Sequence, residues 1–219
     1  MKKVSLIFIL LIGFGFISNA QNVTIGTQVW MTKNLDVSTF RNGDIIPEAK
    51  TDEEWELFGE SKIPAWCYYE NDPVFGEVYG KLYNWHAVSD PRGLAPEGFH
   101  IPTDEEQKKL LDYVGSDALI KMKSTSGWAF DLSGTNVTGF SALPGGGRRV
   151  PGGTFDGIGG YGAWWSSTEF GGATCSCAWE LILGLAPAWD ASDGIAAPVA
   201  GITGQRGKEG GSSVRCLKD

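Results

Sequence analysis

The spacing of apolar and polar positions changes along the chain and sets the expected elements. Val23 and Ile25 alternate with polar neighbours, Gly26-Thr27 is placed to turn, and Val29-Trp30-Met31 returns, which predicts a hairpin over residues 23–31. Thr51 with Glu54 three residues later, Trp55 and Phe58 on one edge and Gly59 as a stop predict a short capped helix. The aromatic run from Pro64 to Asp72 predicts a strand that leads into an Asn71-Asp72-Pro73 turn. A short helix is expected near Leu82–Val88, then a turn through Asp90–Gly93 and an extended Gly98–Pro102 passage. The clearest helix signal comes next. Thr103 and Glu106 have capping-box spacing, Asp104 to Glu106 load the first turn with negative charge, Leu110, Leu111 and Val114 recur at helical spacing, and Gly115 stands at the stop.

In the second half, Ser116 predicts a cap for a helical turn over residues 117–123, and residues 139–144 predict a short buried strand. Residues 145–162 are dense in glycine and read as a long loop. They hold no Gly-Lys-Ser/Thr that could make a phosphate cradle, so the glycines are better assigned to positive φ and close packing. Tyr161–Glu169 and Cys177–Leu183 read as partner strands, residues 184–210 as a second long loop, and residues 212–217 as a closing strand.

Composition narrows the class. The 219 residues carry a formal charge of −8, with 31 glycines and nine tryptophans. Short aromatic segments between glycine-rich turns point to a loop-rich domain with β structure. The acidity gives no electrostatic case for binding nucleic acid or an anionic membrane.

The first twenty residues read as a secretory leader. Met1-Lys2-Lys3 is positive, Val4 to Ile17 is apolar, and Ser18-Asn19-Ala20 offers small residues before a cut expected after Ala20. Fourteen helical residues would reach only about 21 Å, short of a hydrocarbon core of about 30 Å. Residues 21–219 are then the mature domain, without a membrane span. Loss of the two leader lysines takes its charge from −8 to −10.

Export places Cys67, Cys175, Cys177 and Cys216 in an oxidising compartment, as disulfide candidates. Four cysteines allow three complete pairings. A Cys175–Cys177 bridge would close a very tight loop. That favours Cys67 with one of the pair and Cys216 with the other, or a single bridge with free thiols. A metal site at Cys-x-Cys is the sharper alternative, set aside because neither histidine is near in sequence.

Several motifs occur together: Gly26-x-Gln28-x-Trp30-Met31 with Asn34-Leu35; Trp66-Cys67-Tyr68-Tyr69 with Asn71-Asp72-Pro73; Tyr79-Gly80-Lys81-Leu82-Tyr83-Asn84-Trp85; Pro96-x-Gly98-Phe99-His100-Ile101-Pro102-Thr103-Asp104; Trp164 to Glu169; and Ser213 to Asp219. Their order resembles the bacterial secreted Fibrobacter succinogenes major paralogous domain across nearly the whole mature chain. Ala95 stands where that family often has cysteine, and Phe99 and Gln107 where it often has tryptophan. A family-like bridge from position 95 to Cys216 is therefore missing, and Cys175 or Cys177 offers a replacement partner. The resemblance implies an α+β, C-type-lectin-like fold, with short helices packed on small antiparallel sheets and long Gly-rich loops. It implies no particular reaction.

The residues themselves supply little catalytic machinery. Glu-Pro-Asn, Gln-Pro-Asp and Trp-Asn-Asp, which lectins use around calcium, are absent from the sequence. Asp190 and Asp193 beside Gly194 are weak calcium candidates, and a solvated Asx-turn accounts for them better, since two carboxylates fall well short of 6–8 ligands. His86 and His100 read as packing or hydrogen-bonding residues, with no His-Glu-x-x-His and no Gly-x-Ser-x-Gly nearby. Trp30, Trp66, Trp85, Trp128 and Trp165 read as core. Trp189 reads as an exposed ring of the kind that stacks on sugars, or else as an anchor for its own loop.

The expected function is a secreted, non-catalytic binding or adhesion module for glycans or a cell-surface partner. Its ligand-binding candidates are Arg148 and Arg149 in the first loop and Trp189, Asp190 and Asp193 in the second. The competing classes are an extracellular hydrolase, a cysteine-dependent oxidoreductase, and a structural surface component that binds no small ligand.

Overall fold

The computed structural model describes residues 22–129, 131–171, 175–185 and 198–219. The chain opens with the expected hairpin, β1 (Asn22–Ile25) and β2 (Gln28–Met31), turned at Gly26. Helix α1 (Asp52–Glu60) has Thr51 as its cap, whose hydroxyl accepts from the Glu54 N–H, and it runs past Gly59 to Ser61. Gly59 lies inside because Glu209 packs against it, so the glycine is there for close approach and not as a stop.

The strand expected over residues 64–72 shortens to β3 (Trp66–Cys67) and a 3-10 turn at Tyr69–Asn71. Asn71-Asp72-Pro73 starts a helix that the turn reading missed, α2 (Pro73–Tyr79). The Asp72 carboxylate accepts from the Val74 N–H, and Pro73 takes the first helical position, where it has no amide to waste. Next come β4 (Leu82–Tyr83), paired with β3, and α3 (Trp85–Val88), capped by Asn84. The helix expected from Leu82 thus begins only at Trp85.

Strand β5 (Phe99–His100) leads into α4 (Asp104–Val114), which has both halves of the capping box and ends at Gly115. Helix α5 (Ala118–Met122) comes after it. Residues 139–144 form no strand and contribute one bridge, Lys123 to Ala142.

The glycine-dense segment is not a loop throughout. It builds β6 (Gly145–Arg148) and β7 (Phe155–Ile158), an antiparallel pair. Gly146 has φ +61°, and a Cβ there would stand 2.2 Å from the Asp156 carbonyl oxygen, so only glycine allows this crossing. Strand β8 (Tyr161–Glu169) matches its expected bounds, and β9 (Cys177–Leu185) is its antiparallel partner. Part of the second expected loop is also strand, β10 (Pro198–Gly207), paired with β9. The closing strand is short, β11 (Leu217–Lys218), while Ser212 and Ser213 make single bridges to Tyr83 and Trp164.

The result is a mixed α+β arrangement. Among the described residues, a four-stranded sheet runs β1-β2-β11-β5, a five-stranded sheet runs β10-β9-β8-β6-β7, and β3-β4 stand apart. Every pairing between these strands is antiparallel except β6 with β8. Leu217 pairs with Trp30 on one side and His100 on the other, which joins the start of the described chain to its end.

The core lies between these sheets and the helices. One cluster gathers Phe40, Trp66, Tyr83, Trp85, Trp165 and Val214; another joins Trp30, Leu110, Met122, Phe140, Trp164 and Leu183. All five tryptophans expected in the core are buried. Each such ring removes about 150–250 Å² from water, worth about 5 kcal/mol before chain entropy is charged against it. Among the described residues no helix is long and apolar enough to cross a membrane.

Candidate functional site

The recurring motifs meet in the interior. Asn34 Oδ1 accepts from Trp164 Nε1 at 2.8 Å and from Arg215 Nη2 at 2.7 Å. Its amide nitrogen donates to the Tyr79 carbonyl and the Ser213 hydroxyl. Arg215 is 1% exposed, bonds the Phe140 carbonyl, and lies over the rings of Phe140 and Trp164. Burial pulls its pKa down to about 9, still above neutrality. Trp165 Nε1 donates to the Tyr83 carbonyl at 2.7 Å, and Trp85 Nε1 to the Ser166 carbonyl at 3.0 Å. Gln107, at a position the resemblance often fills with tryptophan, donates from Nε2 to the carbonyls of Trp164 and Trp165. These side chains tie α4, β8 and the closing segment together. They are a frame for the fold and leave no reactive group open to a substrate.

The arginines of the first glycine-rich segment divide. Arg148 is fully buried. Its guanidinium donates to Gly153 O at 2.7 Å, Thr51 O at 3.0 Å, Asp52 Oδ1 at 2.7 Å and Asn71 Oδ1 at 3.2 Å, and it stacks near Trp55 and Phe155. The ligand role expected of Arg148 therefore gives way to a structural one. Arg149 points outward and pairs with Asp156 at 2.8 Å. Trp189, Asp190 and Asp193 lie outside the described residues.

The cysteines take the second of the two arrangements left open, a single bridge with free thiols, but the bridged pair is unexpected. Cys175 bonds to Cys177, the tight pairing that the sequence reading disfavoured, and Cys67 and Cys216 are free. Both free thiols are wholly buried, and burial raises each pKa to about 12. They lie in different hydrophobic clusters, each filled by its own neighbours. Arg148 beside Cys67 and Arg41 near Cys216 favour the thiolates, but burial outweighs them, and neither thiol is exposed as a reactive one must be.

His86 lies partly buried in α3, and burial lowers its pKa. His100 is held between Asp219 Oδ1 at 2.8 Å and Glu106 Oε1 at 3.1 Å. Partial burial opposes its charge, but the two carboxylates outweigh that and raise its pKa. Among the described residues no group of three or more His, Cys, Asp or Glu is arranged to hold a metal ion.

An open groove of about 670 Å³ runs along α4. Helix periodicity explains its composition. Gln107, Leu110 and Val114 turn into the core, while Asp104, Lys108, Leu111 and Asp112 share the next face and line the groove wall. The opposite wall is Trp179 of β9 and Ala200 of β10. Trp179 is half-buried, and Phe170 holds its ring edge-on at 5.2 Å. Asp112 pairs with Lys108 at 3.2 Å, and both side chains are 68% exposed. Thr168 fixes the start of the helix by accepting from the Asp104 N–H at 3.2 Å. An aromatic ring, two carboxylates and an ammonium thus face one open space.

This place is not legible in the sequence. Trp179 shares a strand face with Leu181 and Leu183, which are core, so alternation alone sends it inward. That it stays only half-buried depends on where α4 crosses the sheet, which is tertiary information.

The fold and its interior define the class: an α+β domain whose motifs at residues 34, 85, 107, 164–166 and 213–215 form a buried polar frame. The chain belongs to the Fibrobacter succinogenes major domain family, whose description matches residues 23–218. That description names no activity. No curated protein and no solved structure matches the chain.

Proposed function

We propose that the chain is an exported, non-catalytic carbohydrate-binding module of C-type-lectin-like architecture, with the groove along α4 as its binding face. The supporting observation is Trp179, half-buried in a groove that also presents Asp104, Lys108 and Asp112. A pyranose offers an apolar face to such a ring and hydroxyls to the charged groups at its edge. The lectin-like assignment draws on the late strand β11 inserted beside β2. The export assignment draws on the charged, apolar and small-residue order of the first twenty residues.

The enzyme alternative has less support. Asp104 and Asp112 are eight residues apart on one helix, about 12 Å along its axis, whereas paired glycosidase carboxyls stand about 5–9.5 Å apart. Lys108 also lies between them and engages Asp112.

The test is a glycan-array screen of residues 21–219, with calcium and with chelator, using Trp179→Ala and Trp189→Ala in parallel. Binding lost in Trp179→Ala and kept in Trp189→Ala assigns the ligand to the groove, with a drop of about tenfold or more. The reverse result assigns it to the second loop, and loss on chelation makes Asp190 and Asp193 calcium ligands. No binding to any glycan removes the carbohydrate reading.

A further inference from the structure

We infer that the groove along α4 selects oligosaccharides bearing free amino groups, such as de-N-acetylated hexosamine chains, over neutral or acidic ones. This rests on the carbohydrate reading above and adds the chemistry of the sugar.

The inference comes from charge and its placement. The groove wall carries two carboxylates, Asp104 and Asp112, against one ammonium, Lys108. The groove then runs to the C-terminal end of α4, where Gly115 and Ser116 line it. The last carbonyls of a helix make that end negative, and the effect is strongest within the final turn. Asp112 stands in this last turn, so a carboxylate and the helix dipole act at one place. At the other end, the positive terminus of α4 is already met by Asp104, Glu105 and Glu106 and by the Thr103 cap. Among the described lining residues, none presents uncompensated positive charge to an anion.

The ring adds a second preference. Trp179 lies on the facing wall, and an aromatic face attracts a cation within about 6 Å of its centre. A hexosamine joins both features in one unit, since its ring can stack on the indole while its ammonium reaches a carboxylate. The whole molecule acts in the same direction, because a chain with formal charge −8 draws cations to its surface and repels polyanions. Among the described lining residues, Lys108 is the one that opposes a cationic ligand, and it also occupies Asp112.

That opposition supplies the decisive experiment. Isothermal titration of residues 21–219 compares a glucosamine hexamer, the fully N-acetylated hexamer and a neutral glucose hexamer. Variants Asp112→Asn, Lys108→Gln and Trp179→Ala are run beside the parent, and circular dichroism checks their fold. The Asp112 and Lys108 side chains are mostly in solvent, so these two variants keep the core intact.

The expected result is tighter binding of the glucosamine hexamer than of the acetylated one, by about tenfold, with affinity falling as salt rises. Asp112→Asn weakens that binding by about 2–5-fold, and Lys108→Gln strengthens it by a similar factor. Equal affinity for the free and acetylated hexamers overturns the inference and leaves the carbohydrate reading standing. Weaker binding in Lys108→Gln also overturns it, since the lysine would then be a donor to a neutral or acidic sugar. A lysine-rich peptide that binds in an Asp112-dependent way, where the glucosamine hexamer does not, overturns it in favour of a protein partner. No binding of any oligosaccharide sinks both readings together.

Discussion

Arg148 and Arg149 are adjacent, identical in type, and opposite in fate. Strand β6 ends at Arg148, and Arg149 lies just beyond it, where its side chain is exposed. Arg148 turns inward, where two backbone carbonyls, Asp52 and Asn71 accept its donors. Replacing it with methionine keeps much of the volume and removes every one of those bonds. We expect Arg148→Met to lower stability by about 2–4 kcal/mol, read as a lower urea midpoint at unchanged slope. Arg149→Met, whose own side chain is 45% exposed although Asp156 is mostly buried, should lower it less, by about 1 kcal/mol. Equal effects of the two substitutions would contradict the buried and exposed placements given to them. At this scale the sequence was informative about type and silent about direction. The tryptophans bounded by apolar neighbours declared themselves, since a large ring in such a setting has nowhere else to go. A pair of arginines among glycines offers no alternation from which a face can be read.

Elements were legible where side chains carry the signal. Helix α4 was readable from cap to stop because Thr103, Glu106 and Gly115 each satisfy a specific orphan group at its ends. Strands β8 and β9 were readable from their aromatic and branched residues. Strands β6 and β10 were not, because Gly145-Gly146-Gly147 and Pro198–Gly207 are built mostly of small residues whose hydrophobic period is faint. The glycines of β6 have a packing reason that only the fold reveals. A Cβ at Gly147 would come within 2.4 Å of Arg206 Nη2, and at Gly146 the obstruction is backbone and cannot move aside. Gly146→Ala should cost about 2–4 kcal/mol, since it adds both a left-handed φ and a clash with β7. Gly152→Ala has open space and only the φ penalty, so it should cost about 1 kcal/mol. Thermal melts of the two variants check the difference. Helix α2 was missed for another reason. Asn-Asp-Pro starts a turn and a helix equally well, and the choice falls to residues 74–79, which pack Phe75 beside Tyr69 and Tyr79.

Across the whole molecule, the closing strand, β5 and α4 meet at His100. The imidazole faces Asp219 beyond β11 and Glu106 on α4, and its pKa is raised in the folded state. A raised histidine stabilises the fold fully below its ordinary value of 6.5, and that contribution is lost as pH rises through the folded pKa. Glu106 is lowered, its own burial being outweighed by bonds from Thr103 and His100, so its contribution holds above 4.5 and is lost as pH falls further. The pair should therefore be most effective between pH 4.5 and 6.5. We expect the melting temperature of the parent, relative to His100→Gln, to show its largest advantage in that window and to lose it as pH rises through the raised folded pKa. A constant difference across the range would show that the histidine serves packing alone. The candidate site was the least legible part. Its helix wall was visible as a polar face of α4, whereas its aromatic wall required knowing how two distant segments come together.

Leu217 lies between Trp30 and His100 as the third strand of a sheet whose first two strands come at the beginning of the described chain. The order of synthesis and the order of assembly are thus opposed. Strand β2 is made early and must wait for a neighbour nearly two hundred residues later, and Asn34 waits for Arg215 in the same way. Until residues 215–217 arrive, β2 lacks its third-strand neighbour and Asn34 lacks the guanidinium of Arg215. Pairings so distant in sequence must first meet the entropy of closing a long loop, which slows their formation.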